Sequence, residues 1–299
     1  FMLRKPALTQ PGNPAWRGAL YYLCYWSSMA LCMPYLNVHY SQLGLTGFQI
    51  GLLGALVPLM RLTAAPSASA LADRRGWKKR ILTLALIASG VFLYLLGIPK
   101  TFGLILPIVG LMAVAQSIAT PIADGLVARM AARYRVDYGK LRLWGSLGFA
   151  VAALATGALW QRFGYGAMFI VGALAVLPVA LAAQGLQEDR STQAKSRLPI
   201  SHLLRDHGLI ALFIANFLIG AGEGLYITFS GVYMDVLGGA EWMIGGLFGL
   251  SALVELPAMQ YAGALARRIG KPLTLVISYA LMAAAFLGYS MSRTPLILL

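Results

Sequence analysis

Long apolar runs separated by short polar loops organise this chain. A bilayer core of about 30 Å is crossed by a helix of about 20 apolar residues. Nine runs reach that length: residues 16–39, 47–72, 79–98, 102–123 with a polar continuation to 133, 141–160, 166–186, 209–234, 242–266 and 273–289. A tenth begins at Pro295 and is cut off where the sequence stops. Glycines and prolines fall inside several runs, as membrane helices tolerate. The pattern predicts an all-α polytopic membrane protein.

Composition supports that class. The 299 residues are 59% hydrophobic and 11% charged, whereas a soluble domain carries about 25% charge. A net charge of +14 would suggest a nucleic-acid partner in a soluble protein. Here the charge lies in loops, and no nucleic acid is expected. Twenty of the Lys and Arg residues fall in the N-terminal tail and the 2–3, 4–5, 6–7 and 8–9 loops; only Lys100, Arg162 and Arg293 fall in the others. By the positive-inside rule, the N-terminus and every even-to-odd loop are cytoplasmic. Cys24 and Cys32 share one apolar run and read as small core residues. His39, His202 and His207 form no ligand spacing, so no metal site is expected. No cleavable signal peptide is expected, because the first apolar run is too long.

An internal repeat divides the chain. Sliding the sequence so that Leu43-Gly44 meets Leu237-Gly238 also brings Ile50-Gly51 onto Ile244-Gly245. Leu71-Ala72, Arg74 and Gly76 then meet Leu265-Ala266, Arg268 and Gly270. Helices 1–3 thus match helices 7–9 in the same orientation, the parallel repeat of carriers whose six-helix halves rock about a central site. The expected organisation is a cytoplasmic tail (1–15), an N-terminal six-helix bundle (16–186), a cytoplasmic linker (187–206) and an incomplete C-terminal bundle (207–299) with helices 7–9 and the start of 10. Against two parallel six-helix halves, the sequence is C-terminally truncated after about nine and a half helices.

Charge at membrane depth costs several kcal/mol and marks functional positions. Arg61, Asp124, Arg142, Glu223 and Glu255 are such residues. Arg61 and Glu255 are repeat-equivalent and opposite in sign. They either pair between the halves or line a cavity where one binds solute or proton. Asp124 and Arg142 lie on antiparallel neighbours joined by a short loop. Arg142 either pairs with Asp124, grips a substrate with its planar fork, or snorkels to the interface.

The 2–3 loop, "SALADRRGWKKRIL", resembles the major facilitator signature G-x-L-A-D-R-x-G-R-K, with Ser69 for the first Gly and Trp77 for a basic residue. The resemblance implies a gating role for Asp73, Arg74 and Gly76; the plain alternative is a topogenic loop. The second copy, "GALARRIGK", has Arg267 where the first has Asp73. "DYGKLRLWGSLGF" resembles the start of helix 5 in bacterial 3-phenylpropionate transporters and, more distantly, in lactose permeases, and "PIADGL", "TFSGVY" and "VEL" extend the likeness. The chain is identified as a member of the major facilitator superfamily, in its lactose-permease-like branch of proton symporters.

That resemblance implies a major facilitator fold in a bacterial inner membrane, working as a monomer with the proton gradient in place of a cofactor. It implies substrate binding by Asp124, Arg142, Phe149 and Glu255, with Arg61 as a further candidate from its depth. Phe149 stands where the permease stacks a sugar on tryptophan. Buried carboxylic acids hold protons at neutral pH, so Glu255, Glu223 and Asp124 are candidates for proton coupling. Helix 5 lacks the Gly-Pro pattern of drug antiporters, which favours uptake. The expected activity is proton-coupled uptake of a small organic solute by alternating access. An aromatic carboxylic acid such as 3-phenylpropionate suits the arginines; a sugar or nucleoside is the alternative, and Glu223 leans toward a neutral solute. No nucleophile or metal constellation points to an enzyme. A transport-inactive membrane sensor is the remaining class.

Overall fold

The computed structural model describes residues 14–188 and 207–299. The expected tail through residue 13, and the linker from residue 189 to 206, lie outside the described residues. Helices account for nearly all of the rest. α1 is Trp16–Gln42, α2 Gly47–Arg75, α3 Lys78–Leu96 and α4 Phe102–Arg133. A helical segment then runs over Tyr138–Gln184. Its 47 residues would reach about 70 Å as one straight helix, more than twice a bilayer core. Gly164 breaks it with φ 73° and ψ 171°, a conformation that glycine reaches without a Cβ clash. The two arms are α5 (138–163) and α6 (165–184). α7 His207–Val236, α8 Glu241–Ile269, α9 Lys271–Met291 and the short α10 Pro295–Leu298 follow.

Among the described residues, seven helical segments are long and apolar enough to cross a membrane. The expected nine spans differ from that number for two physical reasons. The Tyr138–Gln184 segment holds two spans. α1 falls short because it is rich in tyrosine, and it buries Tyr21, Tyr22, Tyr25, Tyr35 and Tyr40. Such a helix suits the inside of a bundle, where the hydroxyls of Tyr22, Tyr25 and Tyr35 find partners on neighbouring helices.

α1 is enclosed by both arms of the broken helix. Trp160 Nε1 on α5 donates to the Leu31 carbonyl at 2.8 Å. On α6, the Met168 carbonyl accepts from Cys32 Sγ at 3.6 Å. Arg17, near the start of α1, lies beside Gly185 at the end of α6. α5 therefore runs beside α1 in the same direction, and α6 returns against it. The charge-rich loops gather at one end of the bundle. There Lys79 Nζ donates to the Gln184 carbonyl at 2.6 Å, and the Lys78 amide donates to Glu188 Oε1 at 2.7 Å.

The first six helices meet α7 and α8 mainly at the opposite, charge-poor end. Gly157 and Gly245 let α5 and α8 touch backbone to backbone: a Cβ on Gly157 would lie 2.6 Å from Trp242 Cα, a separation no side chain tolerates. Gln42 Nε2 donates to Asp235 Oδ1 across the same end at 3.3 Å. No described residue of α7 before Ser230 is buried, and none of α8 after Ala252.

The repeat is visible in the backbone. Gly44 and Gly238 both take left-handed φ, 84° and 81°, in the turns after α1 and α7. The turns differ in how they start the next helix. Thr46 and Gln49 form a reciprocal capping box at α2, while Ala240 at the matching position gives α8 no side-chain cap.

Candidate functional site

The site begins on one face of α1. Tyr22, Tyr25 and Trp26 lie three and four residues apart, the spacing that brings side chains to the same side of a helix. Trp26 is the centre. The Arg142 guanidinium lies over its ring, with Cζ 4.3 Å from the centroid. The same guanidinium is 5.5 Å from the Tyr22 ring. Gly145 makes room for this stack, since a Cβ there would sit 2.9 Å from Arg142 Nη1. Nη1 is out of water and has no hydrogen-bond partner.

Asp124 does not pair with Arg142. Among the described residues the one ion pair within 4.0 Å joins Asp73 to Lys78. Asp124 Oδ1 instead accepts from the Tyr22 hydroxyl at 2.6 Å, and Tyr22 lies 2.8 Å from the Tyr138 hydroxyl. One turn beyond Arg142, Ser146 donates to Glu255 Oε2 at 3.2 Å. This contact brings α8 to the same region from the other half. Both nearby carboxylates thus have hydroxyl donors, whereas the arginine has none of the acids.

A cavity of about 300 Å³, which Trp26 also lines and Arg142 does not, lies between α1, α2, α3, α4, α6 and α7. Its wall carries Arg61, Asn37, Gln116, Thr120 and Thr228 with Trp26 and several methionines. Arg61 is the one charged side chain in that wall. Tyr25 Oη and Thr120 Oγ1 hydrogen-bond at 3.1 Å and tie the wall to α4. The polar lining can bind hydroxyls or a carboxylate, and the apolar remainder suits a ring or short hydrocarbon chain.

The structure sorts the residues singled out in the sequence. Asp124 and Arg142 both lie against Tyr22; Glu255, exposed on α8, reaches Ser146 one turn on; and Arg61 lines the adjacent cavity. Phe149 departs from its expected place: it is 9% exposed and packs in the core, edge-on to Trp26 at 6.2 Å. It braces the tryptophan, and the aromatic surface toward the cavity is Trp26 itself. Glu223 is exposed on α7 and absent from the cavity wall. The residues expected to gate make local contacts. Asp73 pairs with Lys78 of its own loop at 2.5 Å, Gly76 closes α2 in a left-handed turn at φ 64°, and Arg74 is exposed. Arg61 and Glu255, equivalent in the repeat, do not meet.

Tyr22, Trp26, Tyr138 and Ser146 were not among the residues the sequence picked out. The i, i+3, i+4 aromatic cluster in "YYLCYW" is the signal that could have found the first two.

Similarity to known proteins follows the fold. The chain is 28% identical over 274 residues to the maltose permease of Geobacillus stearothermophilus, covering 91% of this chain and 70% of that protein. It is 27% identical to the uncharacterized transporter YwbF of Bacillus subtilis (strain 168), over 76% of this chain and 57% of that one. The chain therefore spans little more than half of YwbF. The crystal structure of the nucleoside transporter NupG superposes with a TM-score of 0.72 at 13% identity, over 86% of this chain and 69% of NupG. These relatives are multi-pass transporters, not enzymes, and this chain shares their all-helical major facilitator fold. Residues 15–299 match the MFS_1 like family, and the chain belongs to it.

Proposed function

We propose that this protein is a proton-coupled uptake carrier for a small organic anion, an aromatic carboxylic acid being the best fit. One observation supports the reading above others: the acids near the site are engaged by hydroxyls, while Arg142 keeps an unpartnered, buried Nη1 stacked on Trp26. A guanidinium nitrogen held out of water without an acceptor is costly. A solute carboxylate would complete it with charge-assisted hydrogen bonds. Trp26 would take the solute ring, and Arg61 adds positive potential across the wall.

Glu255 and Asp124 are the candidate proton carriers. Each accepts a hydrogen bond from a hydroxyl, a contact that would rearrange as the acid takes up or gives off a proton. Substrate-coupled rearrangement would then carry solute and proton together. The contacts at the charge-poor end suit a state open toward the charge-rich, cytoplasmic end. Such a protein sits in the bacterial cytoplasmic membrane with its N-terminus inside and acts as a monomer.

A second reading is proton symport of a sugar or nucleoside. The amide and hydroxyl lining of the cavity favours it, as does the likeness to a maltose permease. Counterflow separates the two. Vesicles preloaded with unlabelled 3-phenylpropionate should accumulate the labelled acid transiently, and maltose or nucleosides should not compete. Competition by maltose, with no counterflow of the acid, would replace the first reading by the second. Counterflow of neither class would leave a transport-inactive sensor.

A further inference from the structure

We propose that Tyr22 is a positioning residue that holds Asp124 away from Arg142 and so keeps the guanidinium open to solute. Asp124 on α4 and Arg142 on α5 flank one short turn, and opposite charges so placed in a low-dielectric interior attract strongly. Yet no carboxylate oxygen of Asp124 lies within 4.0 Å of the guanidinium. The Tyr22 ring sits beside the guanidinium, 5.5 Å from Cζ, and its hydroxyl reaches Asp124 Oδ1 at 2.6 Å. An ionised carboxylate only accepts, so the Tyr22 hydrogen points to Asp124. Its oxygen is then left to accept from Tyr138, 2.8 Å away.

The result is a two-hydroxyl chain that satisfies Asp124 without a cation. On the other side Trp26 fixes the guanidinium by stacking at 4.3 Å. Arg142 is thereby held in place by rings rather than by an acid, with Nη1 lacking an acceptor. Removing the Tyr22 hydroxyl removes what occupies Asp124. The carboxylate is then free to turn to Arg142 and to compete with the solute for it.

The test has a ligand-independent arm and a transport arm. In the first, melting temperatures of D124N, R142Q and the double variant give the coupling between the two residues. With Tyr22 present the coupling should be near zero. In a Y22F background it should appear as roughly 3 °C or more. Y138F leaves the Tyr22–Asp124 bond intact and should leave the coupling near zero. Tyr22→Met, which also lacks the hydroxyl, serves the same cycle if Y22F is not recovered from membranes. Coupling already present with Tyr22, or absent in both backgrounds, overturns the proposal.

The transport arm rests on the carrier reading above. Y22F should raise the KM for 3-phenylpropionate about tenfold, the scale of one charge-assisted hydrogen bond, with little change in maximal rate. Because Asp124 is a candidate proton carrier, rescue is read by binding: D124N added to Y22F should bring the Kd of purified protein for 3-phenylpropionate back toward the parent value. A Kd weakened by Y22F and not restored by D124N overturns the proposal. Failure of the parent protein to move any solute would count against the carrier reading alone, because the melting cycle needs no solute.

Discussion

At the scale of single residues, the account rests on a planar cation between two rings. Arg142→Lys keeps the charge but loses the fork and the stack on Trp26. We expect it to raise the solute KM by about tenfold or more in an uptake assay, from one lost charge-assisted contact. If R142K transported as the parent does, charge alone would be what the site needs. Trp26→Phe should be milder than Trp26→Ala, since a smaller ring keeps part of the surface the guanidinium covers. Asp124 and Arg142 were legible in the sequence because a charge inside an apolar run is conspicuous. Trp26 and Tyr22 were not, since aromatic residues are ordinary in membrane segments and their pairing depends on how α1 is rotated. Phe149 misled for a related reason. Seven residues beyond Arg142 it returns to the same helical face, yet α1 and Trp26 cover it.

At the scale of elements, helix ends carry the lesson. The apolar runs located every span, but α2 continues to Arg75 and α8 to Ile269, through the basic residues at which the runs were taken to end. Lys and Arg are good helix formers whose long stems reach the interface while the backbone stays helical. The break at Gly164 was legible as a gap between two runs, although the helical segment is continuous on either side of it. The close seam of α5 and α8 was not, because Gly157 and Gly245 look like any of the 33 glycines in the sequence. Gly157→Val should force that seam apart. Overpacking of this kind costs about 1–3 kcal/mol, and a lowered melting temperature in detergent is the readout. A variant as stable as the parent would mean that the two helices do not approach so closely. Gly76→Ala should cost about 1 kcal/mol because φ 64° disfavours a Cβ, with transport reduced no more than expression.

At the scale of the whole molecule, the halves touch at the charge-poor end through α1, α2, α5, α7 and α8. Carriers that alternate access must open that contact once per cycle. Gln42 and Asp235 mark it, with the amide on one half and the carboxylate on the other at 3.3 Å. In a background where Cys24 and Cys32 are replaced, Q42C/D235C should form a disulfide on mild oxidation. Uptake should then fall to background and return with reductant. Retained uptake in the fully cross-linked protein would exclude opening at this end. The repeat that divides the halves was readable from matching dipeptides, and its trace in the structure is the pair of left-handed turns at Gly44 and Gly238. The cavity could not be read from sequence, since its wall draws on six helices spread along the chain.

The measurement that tests the central claim most directly is external pH during solute addition to de-energised cells that express the carrier. Adding 3-phenylpropionate should make the medium transiently alkaline in the parent and not in R142Q, as the proposed symport through a site that needs the guanidinium requires. Alkalinisation with maltose but not with the acid, or an unchanged response in R142Q, would contradict an anion-binding symporter built around Arg142.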